Sequence, residues 1–593
     1  MTETLTLPGF DLDAPASPAE ATDSKVHVPR HQPRTAERWR LAAVSCGLAV
    51  AMMAIVGKLV LTAAPGTLPS ANASAFAAPA RAVQVTPDDS ERSTLPRAKI
   101  FDRNGALLAF SLPVHSLYAH PSEVPDPTAT AEALVAAFPY LDRNQLVKRL
   151  ANERTDFVYL ARHLTPADYF KALHLGLPGV RAQKEYRRVY PQGSLAAHVV
   201  GLTRSDQTAL SGIEAYFDAD LVAAAQVPMA LSLDIRVQSV VRQELQHQID
   251  EYAAKAGVGI VMDVRTGEMV ASVSLPDFDP NIISKRDPNQ EMNRVSNGVY
   301  ELGSVFKPVV AAIALDTGVA KSDSMFDARY PIRIDGYTIA DFHGRHRWLS
   351  MREVLVHSSN IGAARIASEI GVDRLVQYFG RFGLLSAPSM DLHEVQKPLT
   401  PARWQELDAM TSAYGYSLNV SPVQFVAAFS SLVNGGTLYG PTLLAINDFR
   451  TVQGTKVLHE DTSATVRSML RSVVTGGSGR NANTHLYPVG GKTGTALKRK
   501  TGGGNSTDKR ISSFVGTFPI QQPRYVVFIM VDEPQEREIT GRYATGGKAA
   551  APAVSRIVER IAPMLGVQPQ PEILDDDNGK NRNRGFQAVV ARN

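Results

Sequence analysis

Cysteine is nearly absent: Cys46 is the only one in 593 residues. That excludes a disulfide within the chain and any zinc or iron–sulfur site built on cysteine. A charge excess is also missing. The 62 basic and 58 acidic residues leave a net charge of +4, too little to push the chain toward nucleic acid. Mean hydropathy is −0.11, which excludes a polytopic membrane protein. The chain is not charge-rich either. With 44% hydrophobic and 20% charged residues it has the composition of folded domains, not of a disordered chain. The length implies several domains of roughly 100–200 residues each.

Position along the chain says more. Residues 41–57 carry no charge, Lys58 interrupts, and residues 59–64 continue apolar. Together they reach the roughly 20 residues that cross a bilayer core as a helix. Trp39 stands where an interfacial aromatic belongs, and Lys58 can snorkel to the headgroups. Lys25, Arg30, Arg34, Arg38 and Arg40 crowd the N-terminal flank, whereas the other flank has no charge until Arg81. The positive-inside rule therefore predicts a cytoplasmic N-terminus and an exported remainder. Ala71-Asn72-Ala73 would suit a cleaved signal peptide, but the long polar stretch before the apolar run favours an uncleaved anchor.

Residues 65–94 are rich in Ala, Pro and Ser and read as a linker. The run Lys99-Ile100-Phe101, the turn Asp102-Arg103-Asn104-Gly105 and residues 106–110 predict a β-hairpin. Amphipathic helical stretches follow at 131–138 and 143–151. Asp234 is placed to N-cap a helix with Val237, Val241, Leu245 and Ile249 on one face. Residues 258–264 and 269–273 read as a strand hairpin, 511–518 and 525–531 as a second pair, and 551–565 as a closing helix. Between the two pairs the pattern is largely helical. No internal repeat is present.

Three motifs carry chemistry. Ser304-Val305-Phe306-Lys307 opens an apolar helix, and i, i+3 spacing puts the lysine amine on the face of the serine hydroxyl. A lysine with a lowered pKa can take the proton that makes the hydroxyl nucleophilic. Ser358-Ser359-Asn360 can supply a second hydroxyl and an amide, or simply cap a helix. Lys492-Thr493-Gly494-Thr495 precedes a strand pair and should lie on a sheet strand. There Thr493, Thr495 and Lys492 can meet a carboxylate, and Gly494 lets substrate near the backbone. Chance copies exist. Ser506-Thr507-Asp508-Lys509 and Lys500-Thr501-Gly502 fall in a Gly-rich stretch that reads as loop, and Ser417-Leu418-Asn419 differs from the second motif only in context. The order S-x-x-K, S-x-N, K-T-G, on helix, loop and strand, is far more specific than any one motif. It is the signature set of penicillin-binding proteins and serine β-lactamases.

Beyond these motifs, Tyr300-Glu301-Leu302-Gly303 before the serine, Tyr414-Gly415-Tyr416 and Val420-Ser421-Pro422-Val423-Gln424 resemble class B penicillin-binding proteins of the cell-division type. So do Asp102-Arg103-Asn104-Gly105, Arg187-Arg188-Val189-Tyr190-Pro191 and Gly212-Ile213-Glu214, in the region of that family's non-catalytic module. A Gly/Arg-rich loop expected between Phe217 and Leu231 is missing. The resemblance implies a multi-domain α+β chain: one N-terminal transmembrane helix, an elongated pedestal module, and a transpeptidase domain of the serine β-lactamase-like fold. That domain would have an antiparallel sheet flanked by helices and an all-helical subdomain. The segments would be a cytoplasmic tail (1–38), anchor (39–64), linker (65–94), pedestal (95–228), transpeptidase domain (229–567) and disordered tail (568–593). The protein would sit in the inner membrane, with the catalytic domain periplasmic and at the division septum.

The resemblance also implies roles. Ser304 would be the nucleophile, Lys307 its base, Ser358 and Lys492 a proton relay, and Asn360 a peptide-orienting amide. Thr493, Gly494 and Thr495 would bind substrate. The backbone N–H groups of Ser304 and Thr495 would form the oxyanion hole. Neither metal nor cofactor is implied. The partners would be peptidoglycan stem peptides on lipid II-derived strands, β-lactams, an FtsW-type glycosyltransferase and other divisome proteins, with no nucleic acid. An elongation-type enzyme, a D,D-carboxypeptidase and a non-catalytic β-lactam sensor are the alternatives. A class A lactamase would need a Glu-x-x-x-Asn between Ser358 and Lys492, and none occurs.

Overall fold

The computed structural model describes residues 93–282, 286–499, 505–538 and 543–570, all within one compact unit. The tail, the anchor at 39–64, nearly all of the linker and residues 571–593 lie outside the described residues. Among those described, no helix is long and apolar enough to cross a membrane.

The first module is built on a long strand. β1 (Ile100–Phe101) turns into β2 (Leu107–Ala119), which pairs antiparallel with β1, β3 (Val158–Leu164) and β4 (Val180–Val189). The hairpin forms at the expected residues: Asp102 Oδ1 accepts from Asn104 N and Ala106 N at 2.8 and 2.7 Å, and Gly105 takes φ +84°. β5 (Met229–Ala230) adds to β1 in parallel. Helices α1 (Pro127–Ala137) and α2 (Arg143–Leu150) close a small core around Leu117, Leu134, Leu146 and Leu160. Beside it, Glu214 receives Arg97 Nε at 2.8 Å and Arg188 Nε at 2.6 Å, with all three side chains buried.

The second module begins with α3 (Ile235–Glu251), N-capped by Asp234 as its sequence position predicts. β6 (Ala256–Asp263) and β7 (Met269–Leu275) follow. Next come the central helix α4 (Lys307–Asp316), then α5 (Met351–His357), α6 (Asn360–Ile370) and α7 (Pro422–Val433). The chain closes with β8 (Gly490–Arg499), β9 (Asn505–Phe518), β10 (Tyr525–Asp532) and α8 (Ala551–Met564). Among the described residues the sheet order is β8-β9-β10-β6-β7, antiparallel throughout.

Both faces of this sheet are covered, so β10 is apolar along its length and its side chains divide by period two. Val527, Ile529 and Val531 join Val237, Val241, Val554 and Ile557 of α3 and α8. Val526, Phe528 and Met530 face the other way, toward Val309 of α4 and Phe425 of α7. Burying each such side chain stabilises by about 1.5–3 kcal/mol. Gly259 of β6 permits the first contact, since a Cβ there would lie 2.4 Å from Val241 Cγ1.

The region between the strand pairs departs from the all-helical expectation. Met325–Asp327 pairs with Trp348–Ser350, and Ile332–Ile334 with Tyr337–Ile339. Strands of three residues are too short to show a period in sequence. The Ser506–Lys509 stretch, expected as loop, belongs to strand β9.

Candidate active site

Ser304 sits in a tight 3-10 turn, Gly303–Phe306, that runs straight into α4. Pro308 is harmless there, because first-turn N–H groups have no intrahelical partner. Val309, Val310 and Ile313 of α4 are fully buried, and Phe306 packs on Phe425 at 5.1 Å between ring centroids. The nucleophile turn is thus wedged against the core.

The turn also lies tightly against β8. A Cβ on Gly494 would come 2.7 Å from Leu302 O and 2.4 Å from Ser513 Oγ. Packing against the protein, more than room for substrate, requires glycine here. Gly415 makes a similar approach: its Cβ would lie 2.1 Å from Gly303 O.

The S-x-N motif is a junction of two helices. Ser358 ends α5 in the left-handed conformation, φ +57° and ψ +40°, which costs a non-glycine residue of order 1 kcal/mol. Ser359 caps α6, accepting from Gly362 N at 3.0 Å. The helix-cap reading therefore holds for Ser359, while Ser358 and Asn360 turn to the site.

Both motif lysines are buried, Lys307 at 1% and Lys492 at 0% exposure. Lys307 Nζ lies 2.6 Å from Ser358 O, 2.7 Å from Asn360 Oδ1, 2.8 Å from Ser304 Oγ and 3.2 Å from Ser358 Oγ. Burial and then the neighbouring Lys492 hold its pKa well below the usual 10.5, with Asp341 opposing. A neutral amine has two N–H groups and one lone pair. The two carbonyl oxygens can only accept, so they take the N–H groups. The lone pair is left for the Ser304 hydroxyl. Lys492 Nζ donates to Ser358 Oγ at 2.9 Å, Thr493 O at 3.0 Å and Thr493 Oγ1 at 3.3 Å. Burial lowers it to about 7. Ser358 Oγ therefore stands between the two amines.

The third motif is oriented from outside. Thr493 Oγ1 shares a hydrogen bond with Ser478 Oγ at 2.8 Å, and Thr495 Oγ1 accepts from Gly546 N at 3.1 Å. Tyr416 OH accepts from Leu497 N at 3.1 Å.

Asp341 is the residue that sequence reading missed. Its carboxylate accepts from Ser359 Oγ at 2.7 Å, Asn360 N at 2.5 Å and Ile361 N at 3.0 Å. A carboxylate at the N-terminus of α6 is favoured by the helix dipole and fixes the junction. Asn360 Nδ2 donates to Ala340 O at 3.1 Å, which turns its Oδ1 to Lys307. No local pattern marks Asp341, which lies 18 residues before Ser359. The chance copy Ser417 stays apart from both lysines, its hydroxyl bonded to Thr411 Oγ1 at 2.9 Å.

This arrangement, a hydroxyl facing a buried amine of lowered pKa with a second hydroxyl shared by two amines, suits acyl transfer through a covalent serine intermediate. Comparison with known proteins agrees. Residues 257–559 match the model for the penicillin-binding protein transpeptidase domain, and 92–226 that for the penicillin-binding protein dimerisation domain. The chain is 39% identical over 489 residues to the probable peptidoglycan D,D-transpeptidase FtsI of Caulobacter vibrioides, covering 81% of this chain and 83% of that one. It is 32% identical to the peptidoglycan D,D-transpeptidase FtsI of Escherichia coli K12, covering 82% and 87%. Stage V sporulation protein D of Bacillus subtilis is 30% identical, with 82% of each chain covered. A solved structure titled as a putative peptidoglycan glycosyltransferase from Atopobium parvulum shares the fold at TM-score 0.62 and 21% identity, over 80% of this chain and 99% of that one.

Proposed function

The chain belongs to the penicillin-binding protein transpeptidases, and from that membership we propose that it crosslinks peptidoglycan stem peptides at the division septum. Ser304 Oγ attacks the carbonyl between the two terminal D-alanines of a donor peptide. Its proton passes to the lone pair of Lys307. The C–N bond breaks, and the leaving nitrogen takes a proton through Ser358 Oγ, which bridges Lys307 and Lys492. D-Alanine departs, and the acyl carbon remains as an ester on Ser304. The amine of a second stem peptide then forms the new C–N bond as the ester C–O bond breaks, and its proton returns to Ser304. The backbone N–H groups of Ser304 and Thr495 receive the oxyanion, an effect of about 3 kcal/mol per donor. Thr493, Thr495 and the Lys492 cation bind the terminal carboxylate, with Gly494 holding β8 close to the nucleophile turn. The Asn360 amide orients the peptide. A β-lactam acylates Ser304 by the same first step.

Residues 95–228 act as pedestal and 229–567 as the catalytic domain. Residues 39–64 anchor the protein in the inner membrane with its N-terminus cytoplasmic, where an FtsW-type glycosyltransferase and other divisome proteins are its partners. The observation that carries the chemistry is the buried Lys307 amine 2.8 Å from Ser304 Oγ, with Ser358 O and Asn360 Oδ1 at 2.6 and 2.7 Å to take its N–H groups. Fluorescent penicillin tests it: wild type forms a covalent adduct and Ser304→Ala does not. An adduct on Ser304→Ala would falsify the assignment. Depletion in cells should give filaments; round or swollen cells would sink the septal role.

A further inference from the structure

We propose that residues 325–350 are the landing surface for the second, amine-donating stem peptide. This rests on the transpeptidase reading above and adds where the acceptor binds. The segment joins α4 to α5 through the two short strand pairs. It carries Met325, Tyr330, Tyr337, Phe342 and Trp348, all exposed, with Phe342 at 83%. Large apolar side chains so concentrated on a surface mark an interaction site.

Cations are interleaved with them. Arg329 lies 5.8 Å from the Tyr330 ring and 5.6 Å from the Trp348 ring, and pairs with Asp327. Arg347 pairs with Glu353. Exposed Arg333 and Arg345 have no ion pair among the described residues. Of the segment's carboxylates, Asp327 and Asp341 are engaged, leaving Asp335 at the hairpin turn. The free charge is therefore mainly positive.

The segment adjoins the site. Ala340 O and Asp341 hold Asn360, whose Oδ1 lies 2.7 Å from the Lys307 amine. An acceptor resting here would carry its amine toward the acyl-serine. The donor peptide occupies the K-T-G strand, so the occupant is the acceptor. It belongs to the same class of carboxylate-bearing peptide as the donor, and its charge complements Arg333 and Arg345.

The test uses the full-length protein in detergent, a thioester donor ending in D-alanine, and an amine-bearing stem peptide as acceptor, either with free carboxylates or amidated. Partition of the acyl-enzyme between aminolysis and hydrolysis is measured. Wild type should prefer the carboxylate form, and Arg345→Glu and Arg333→Glu should each cut that preference about fivefold, the effect of one exposed ion pair near 1 kcal/mol. Donor hydrolysis and penicillin labelling should stay at wild-type levels. An unchanged preference when Arg345→Glu and Arg333→Glu are combined overturns the proposal. If charge reversal impairs labelling, Arg345→Gln with Arg333→Gln replaces it, and the same two outcomes decide. Failure of wild type to be labelled would instead sink the transpeptidase reading.

Discussion

At the residue scale, the proposed chemistry depends on two buried lysines whose pKa values are both lowered. Burial and then the neighbouring Lys492 hold the Lys307 pKa well below its usual value. Lys492 is pushed down to about 7, so it is charged in mildly acidic solution and loses that charge as pH rises. In the proposed mechanism that charge attracts the substrate carboxylate. Acylation by a β-lactam bearing a carboxylate should therefore weaken above about pH 7, and chiefly through weaker binding. Lys492→Arg keeps the charge at all these pH values. It should lower the rate but flatten the alkaline limb, as read from second-order acylation constants across pH 6–9 (a range of about that width brackets the Lys492 value). An alkaline limb that persists in Lys492→Arg would assign it to another group.

At the scale of elements, the site exists because a turn and a strand touch. Gly494→Ala forces a methyl group toward Leu302 O and Ser513 Oγ. A misplacement of about 1 Å costs on the order of a hundredfold in rate. Acylation should fall by that factor while circular dichroism stays native; equal rates would show that the turn yields freely. This scale also tells what was legible. α3 with its Asp234 cap, the Asn-Gly hairpin, β6, β7, β10 and α8 were readable because local spacing determines them. So was the order of the three motifs. Asp341 was not, since its contact spans 18 residues and depends on where α6 begins. Nor were the three-residue strands of 325–350, too brief for a period. The glycine at 494 was readable as a close approach, but the sequence reading gave that approach to substrate, whereas Leu302 O and Ser513 Oγ make it.

At the scale of the whole chain, the two modules are stitched by hydrogen bonds. Tyr190 N reaches Asn281 Oδ1 at 3.0 Å, Asn281 Nδ2 reaches Tyr190 O at 2.9 Å, and Gly212 N reaches Glu394 Oε1 at 3.1 Å. Gly212 opens the short helix that carries Glu214, the centre of the buried Arg97–Glu214–Arg188 cluster. Removing one member leaves uncompensated buried charge, typically at a cost of about 3–5 kcal/mol. Glu214→Ala should therefore lower the unfolding temperature of the first module in calorimetry, with Ser304 still labelled by penicillin. Loss of labelling at temperatures where the first module is folded would mean that the cluster also acts on the catalytic domain.

The shared hydroxyl of Ser358 has one more consequence, for heredity. Lys307, Ser358, Asn360 and Lys492 are linked by hydrogen bonds, so under the proposed mechanism a replacement at any one of them should impair drug and substrate together. An inhibitor that copies the substrate faces a target with no spare part. Inherited tolerance should thereby be displaced outward, to residues that do not belong to the bonded group.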